Sequence, residues 1–248
     1  KNSRTSFSKI KNNDPIAYPH LDGRQVPGYW GFMPFTQSYE YMGVLTLLLA
    51  VIGWWYFRRR SLSTALALFA LFLILLSFGR HFQAFYALFY EHMPYFNKFR
   101  APMMSVTVTF FILTLFAGLG LSRLLAWHQK VEGERPPVKP LWYIIGGMAA
   151  LGLLAALFIP GAGFMKPGEN YDPQQMEIIA GIRREFFQRD LLRFFLLLAA
   201  AGLLVFLTLR NTLRPWMAGL LFSALVLIDL IPVQLRSDKE FFDMDKAV

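Results

Sequence analysis

The chain has 248 residues, 55% of them hydrophobic, with 25 Phe, no Cys and a formal net charge of +9; its mean hydropathy is +0.39. That is too apolar for an ordinary soluble domain, and the lack of Cys excludes disulfides, thiolate zinc sites, iron–sulfur clusters and a Cys nucleophile. The positive charge points to membrane lipids with anionic headgroups and not to nucleic acid, since no recognition motif for the latter accompanies it.

Residues 1–38 are polar and lack the apolar core of a signal peptide. With Lys1 in first place and a polar tail at the other end, the chain is expected to be a central piece of a longer polypeptide. Six apolar runs follow: Tyr41–Phe57, Leu62–Gly79, Met103–Leu121, Leu141–Pro160, Leu191–Leu209 and Trp216–Val233. Each is close to the ~20 helical residues that cross a ~30 Å hydrocarbon core. The expected fold class is therefore all-α, a polytopic membrane bundle of six transmembrane helices plus amphipathic helices on the outer face. Residues 1–38 form an outer-face loop leading in, 39–233 the transmembrane region, and 234–248 an outer-face tail.

Three loops lie after runs one, three and five. They are Arg58-Arg59-Arg60, Arg123–Pro140 with its Pro136-Pro137 breaker, and Arg210–Arg214. Together they hold nine Lys or Arg against Glu132 and Glu134. The loops on the other face, Arg80–Ala101 and Gly161–Asp190, mix seven basic residues with Glu91, Glu169, Asp172, Glu177, Glu185 and Asp190. The excess of positive charge places the first set in the cytoplasm and both ends of the chain outside.

The two outer loops carry helical patterns. In His81–Met93, residues Phe82, Phe85, Phe89 and Met93 recur at helical spacing, which predicts an amphipathic helix in the membrane interface, ended by Pro94. Asp172-Pro173 with Gln175 gives a helix start. A stripe of Met176, Ile179, Ile182 and Phe186 follows, with Arg183, Arg184 and Arg189 expected off it, and the helix is expected to continue into run five. Gly118 and Gly120 in run three, and Gly146-Gly147 in run four, are expected to allow close helix approach.

The candidate chemistry lies at the outer mouth of runs two and three. Arg80-His81 follows run two, and Asn97, Lys98 and Arg100 precede run three. Arg offers several donors to phosphate oxygens and Lys a point charge, so these cations suit a phosphate or pyrophosphate group. The neighbouring Phe82, Phe85, Tyr86, Phe89 and Tyr90 suit an isoprenoid or acyl chain. The same cations equally suit simple anchoring to lipid headgroups. Glu91 and His92 are candidate general bases. Asp229 is an intramembrane acid about one turn from the end of run six; burial of a carboxylate is expensive, so it serves a function, or reaches water at the interface, or pairs with an Arg on a neighbouring helix. His20, His81, His92 and His128 form no i, i+4 pair, and no metal site is expected.

Four segments carry a family resemblance. Tyr29–Gly43 (YWGFMPFTQSYEYMG) resembles the approach to a transmembrane helix in the YfhO family of bacterial membrane proteins. Ser77–Phe82 (SFGRHF), Pro94–Pro102 (PYFNKFRAP) and Leu227–Val233 (LIDLIPV) are similar to later motifs of that family, in the same order. The resemblance implies a GT-C-like architecture in the bacterial cytoplasmic membrane, with a polyprenyl-phosphate-linked sugar as donor for glycosylation of the cell envelope. It carries over Asn97, Lys98 and Arg100 as motif positions and no catalytic base. The expected function is a polyprenyl-phosphate-dependent glycosyltransferase-like protein acting at the outer face. The alternative is a non-catalytic subunit or scaffold that packs against other membrane subunits. No cofactor besides the lipid-linked donor is evident.

Overall fold

The computed structural model describes residues 20–21, 24–25, 41–94, 96, 104–129, 138–165 and 173–234. Apart from a two-residue antiparallel ladder, β1 (His20–Leu21) with β2 (Arg24–Gln25), the elements among the described residues are helical. They are α1 (Val44–Phe57), α2 (Ser61–Ser77), α3 (Gln83–His92), α4 (Ser105–Gln129), α5 (Val138–Phe158), α6 (Pro173–Leu209) and α7 (Pro215–Gln234). Single 3-10 turns occupy Gly79–Phe82 and Pro160–Ala162.

Four helices, α4 to α7, are long and apolar enough to cross a membrane, and the chain is read as a membrane protein on that basis. The first two apolar runs are shorter as helices. α1 has 14 residues and α2 has 17, or about 21 and 26 Å at 1.5 Å per residue. The cause is local. Gly43, at φ 94°, holds a backbone conformation outside the helical region and stops α1 from starting at Tyr41. Gly79, at φ 49°, breaks the far end of α2 into the 3-10 turn. A helix is present where residues 81–93 predicted one, as this turn plus α3, and the helix at Pro173 runs unbroken into the fifth apolar run. α6 is 37 residues long. Its first half carries Glu177, Arg183, Arg184, Glu185, Arg189 and Asp190, so only its second half is a candidate span.

The chain divides into two compact units, Met42–Gly146 with Ala200–Val226, and Lys1–Tyr41 with Gly147–Ala199 and Leu227–Val248. In the first, α1 and α4 touch through backbone. A Cβ on Gly53 would overlap the Phe116 carbonyl oxygen, and one on Gly120 the Leu49 carbonyl oxygen. Gly120 thus has the expected role and acquires Gly53 as its partner. Gly118, Gly146 and Gly147 do not share it, since none of the described residues comes within 4 Å of their Cβ positions. Half of α1 is buried, including Leu45, Leu48, Leu49 and Ile52.

Contact order fixes direction in this unit. Gly53 sits at Gly120 and Tyr56 at Arg123 and Trp127, so α1 and α4 run parallel. Ser105 Oγ donates to the Leu73 carbonyl at 3.0 Å and Thr109 Oγ1 to the Ala70 carbonyl at 3.4 Å, so α2 runs antiparallel to α4. The Arg58–Arg60 turn and the C-terminal end of α4 therefore lie at the same end. Arg123, expected in the loop there, is instead inside α4 and only 6% exposed. Its guanidinium stacks 4.0 Å from the Tyr56 ring centroid and donates to the Tyr56 hydroxyl. α6 closes with Asn211 at φ 56°, whose N–H reaches Thr208 O while that of Thr212 reaches Leu207 O. This is a left-handed cap built on Asn in place of the usual Gly.

In the second unit, Phe194 and Phe195 of α6 lie against Gly152 of α5. Arg183 is wholly buried, and its Nη1 donates to the Phe164 carbonyl at 2.7 Å. It therefore lies on the packed face, between Ile179 and Phe186, and not off the apolar stripe as the spacing suggested. Arg183 faces the Phe164–Met165 segment and Arg184 stacks on the Phe164 ring, so the pair fixes the backbone after α5 to α6.

Candidate functional site

The first candidate region surrounds the α2–α3 junction. The Gly79–Phe82 turn carries Arg80 and His81 along the backbone. Asn97, Lys98 and Arg100 lie outside the described residues. What is described is the aromatic surface of α2, α3 and Phe96. Phe72 of α2 meets Phe85 and Phe89 of α3 with ring centroids 6.0 and 5.3 Å apart. Phe82 stacks on Phe85, and Phe96 packs against both Tyr86 and Phe89. No residue of α3 is fully buried. Phe82 before the helix, Leu88 and Tyr90 in it and Met93 after it are exposed, as are Glu91 and His92. Glu91 and His92 are exposed, and the His92 ring is 3.0 Å from the Leu88 carbonyl, which fits helix-end capping. Such a surface is wide, apolar and aromatic, and suits contact with a long hydrocarbon chain.

The second candidate is built around Asp229. The carboxylate of this α7 residue is 1% exposed. The Tyr41 hydroxyl donates to its Oδ1 at 2.6 Å. Arg193 of α6 places Nη2 3.9 Å from the same oxygen and donates to the Asp229 carbonyl at 2.6 Å and the Ile228 carbonyl at 3.3 Å. The sequence explains why the Ile228 carbonyl accepts. Pro232 lies inside α7, four residues after Ile228. Proline has no N–H, so the Ile228 carbonyl loses its helical donor, and the Arg193 guanidinium takes that place. The ion pair with a neighbouring helix expected for Asp229 is thus formed, with Arg193 as the partner.

Sequence reasoning did not single out Arg193 or Tyr41. Two signals were available. Arg193 is the one basic residue inside the fifth apolar run, and a Pro in a span four residues after Ile228 calls for an external donor. Arg123 was visible only as a loop charge because run three was closed at Leu121, whereas α4 continues to Gln129. Among the described residues no group of His, Asp and Glu is arranged to hold a metal ion. The chain matches no family model, no curated protein and no solved structure.

Proposed function

We propose that the chain is the central part of a polyprenyl-phosphate-dependent glycosyltransferase-like protein of the bacterial cytoplasmic membrane, similar to the YfhO family. In this reading α1 and α2 are two further spans beside the four long helices. What supports them as spans is their direction: α1 and α4 run parallel with α2 antiparallel between them in sequence, as alternate crossings require. Their apolar runs also extend past the helix ends through Tyr41–Gly43 and Phe78-Gly79.

The observation that carries the functional reading is the aromatic surface of Phe72, Phe85, Phe89 and Phe96. In sequence its Phe85, Phe89 and Phe96 lie between Arg80-His81 on one side and Asn97, Lys98 and Arg100 on the other. Rings for an isoprenoid chain next to cations for its phosphate match the two halves of a lipid-linked sugar donor. The cations would hold the phosphate and stabilise charge on the leaving group. A further support is that two of the four resembling segments, Tyr29–Gly43 and Leu227–Val233, contribute the Tyr41 and Asp229 that hydrogen-bond to each other.

Reconstituted protein with Lys98→Ala and Arg100→Ala should lose most transfer of sugar from a lipid-linked donor in vesicles; unchanged transfer would remove both residues from the site. Topology has its own test, because the chain has no Cys. Single Cys residues introduced at Arg59 and Thr212 should react only with membrane-permeant reagents in intact cells, and one at Glu91 with impermeant reagents as well. The opposite pattern would put the donor surface on the wrong side.

A non-catalytic subunit is the second reading. It is favoured by α5, the least buried of the four long helices, which exposes Tyr143, Leu151, Leu157 and Phe158. A stoichiometric membrane partner retained through purification, with no transfer activity, would decide for it.

A further inference from the structure

The ion pair at Asp229 is lopsided. Its anion is sealed, with the side chain 1% exposed, whereas the Arg193 side chain is 24% exposed. The accessible side of the cluster is therefore the cation. Arg193 uses Nη2 on the Asp229 and Ile228 carbonyls. Among the described residues no acceptor meets its Nη1 or Nε. Those two nitrogens carry three N–H donors. Fixed by its Nη2, the guanidinium is also held in place before any ligand arrives, which lowers the ordering cost of binding.

The surroundings say what kind of ligand fits. Arg193 stands at the start of the apolar half of α6, and Asp229 near the end of the apolar run in α7, so both lie at the edge of the apolar layer. Leu192 and Leu196, beside Arg193 on α6, are 60% and 62% exposed. Apolar surface next to a partly open, multi-donor cation matches a phosphate group that carries hydrocarbon chains. We propose that Arg193 binds the phosphate of a membrane amphiphile, with Leu192 and Leu196 against its chains. The shared chemistry with free phosphate is the phosphate group itself. The proposal needs only the membrane setting of α6 and α7, and it stands whether or not a sugar is transferred.

The test uses the full chain in phosphatidylcholine vesicles containing chain-spin-labelled phosphatidic acid or, separately, spin-labelled diacylglycerol, which lacks the phosphate. The fraction of label immobilised by protein is measured. Phosphatidic acid should be retained in clear excess over diacylglycerol. Arg193→Gln should weaken that excess by about tenfold, the scale of a lost charge-assisted contact. Arg214→Gln, which removes an exposed arginine elsewhere, should leave it unchanged. Because Arg193 also holds the α7 carbonyls, Asp229→Asn gives an independent reading: removing the buried neutralising charge should strengthen retention of phosphatidic acid several-fold. Competition by inorganic phosphate would support phosphate recognition with free phosphate as the source; resistance to it supports the lipid. Equal retention of the two labelled lipids would overturn the proposal. So would wild-type retention in a folded Arg193→Gln protein, or no gain in Asp229→Asn.

Discussion

Two helix contacts in this protein solve the same problem in opposite ways. Where α1 meets α4, backbones touch through Gly53 and Gly120, and a nearby cation, Arg123, is housed among the faces of Tyr56 and Trp127. At Asp229, side chains fill the gap, and the cation Arg193 is housed among oxygens. The first contact depends on shape, since small residues let dispersion and close packing act between helices that gain nothing from the hydrophobic effect in lipid. The second depends on satisfied polar groups, since an unmet carbonyl or carboxylate in an apolar layer costs several kcal/mol. The contacts should therefore fail differently. A shape contact fails with added volume, and a polar contact with lost partners.

The largest effect is expected from volume. Gly120→Leu places a side chain where the Leu49 carbonyl already lies, and no flexible neighbour can move aside because the obstacle is backbone. Separation of α1 from α4 should cost about 3 kcal/mol or more, read as a fall in thermal unfolding temperature in detergent. Gly118→Leu, two residues away with nothing described within 4 Å, is the control and should be nearly neutral. Leu exceeds Gly in helix propensity at either site, so equal losses at both positions would mean that the backbone contact is not what makes Gly120 sensitive.

Next in size is loss of a partner. Asp229→Ala removes the acceptor of the Tyr41 hydroxyl and the counter-charge of Arg193. A hydrogen bond to a charged group contributes about 1.5–3 kcal/mol, and the same order of destabilisation is expected here. Asp229→Asn keeps an oxygen for Tyr41 and the helix carbonyls for Arg193, so it should lose less than Asp229→Ala. If the two variants were equally unstable, the charge and not the hydrogen bond would hold the cluster.

How far each contact could be read from sequence follows from its physics. Apolar runs are a sum over many residues, so the helices themselves stand out, and Pro173 marks the start of α6. Run length set the ends of α1 and α2 only to within a few residues, because the apolar runs include Tyr41–Gly43 and Phe78-Gly79, where backbone dihedrals already leave the helix. Gly120 was legible as a small residue in a span, but its partner Gly53 was not, since pairing depends on the register between two helices. Arg183 illustrates the same limit. Its charge argued for solvent, while its position between Ile179 and Phe186 set it on the packed face, where the Phe164 carbonyl receives it. Asp229 was legible as an anomaly, a carboxylate in an apolar run, whereas Arg193 and Tyr41 become its partners only through tertiary structure.

The smallest effect sharpens the comparison most directly, because it asks whether the two arginines are held by different forces. Arg123→Lys keeps the positive charge but loses the flat face that lies 4.0 Å from the Tyr56 ring and 5.6 Å from that of Trp127. Arg and Lys differ in stacking and in donor geometry more than in charge, and a cation–aromatic contact of this kind contributes about 0.5–2 kcal/mol. Arg123→Lys should thus destabilise by about 1 kcal/mol, and Tyr56→Phe, which retains the ring and removes the hydroxyl acceptor, by a similar or smaller amount. Raising the salt concentration should change neither loss, since the contact with the ring faces is buried. A loss in Arg123→Lys that disappears in high salt would show that screened charge and not the ring faces holds Arg123, and the distinction between the two contacts would fall.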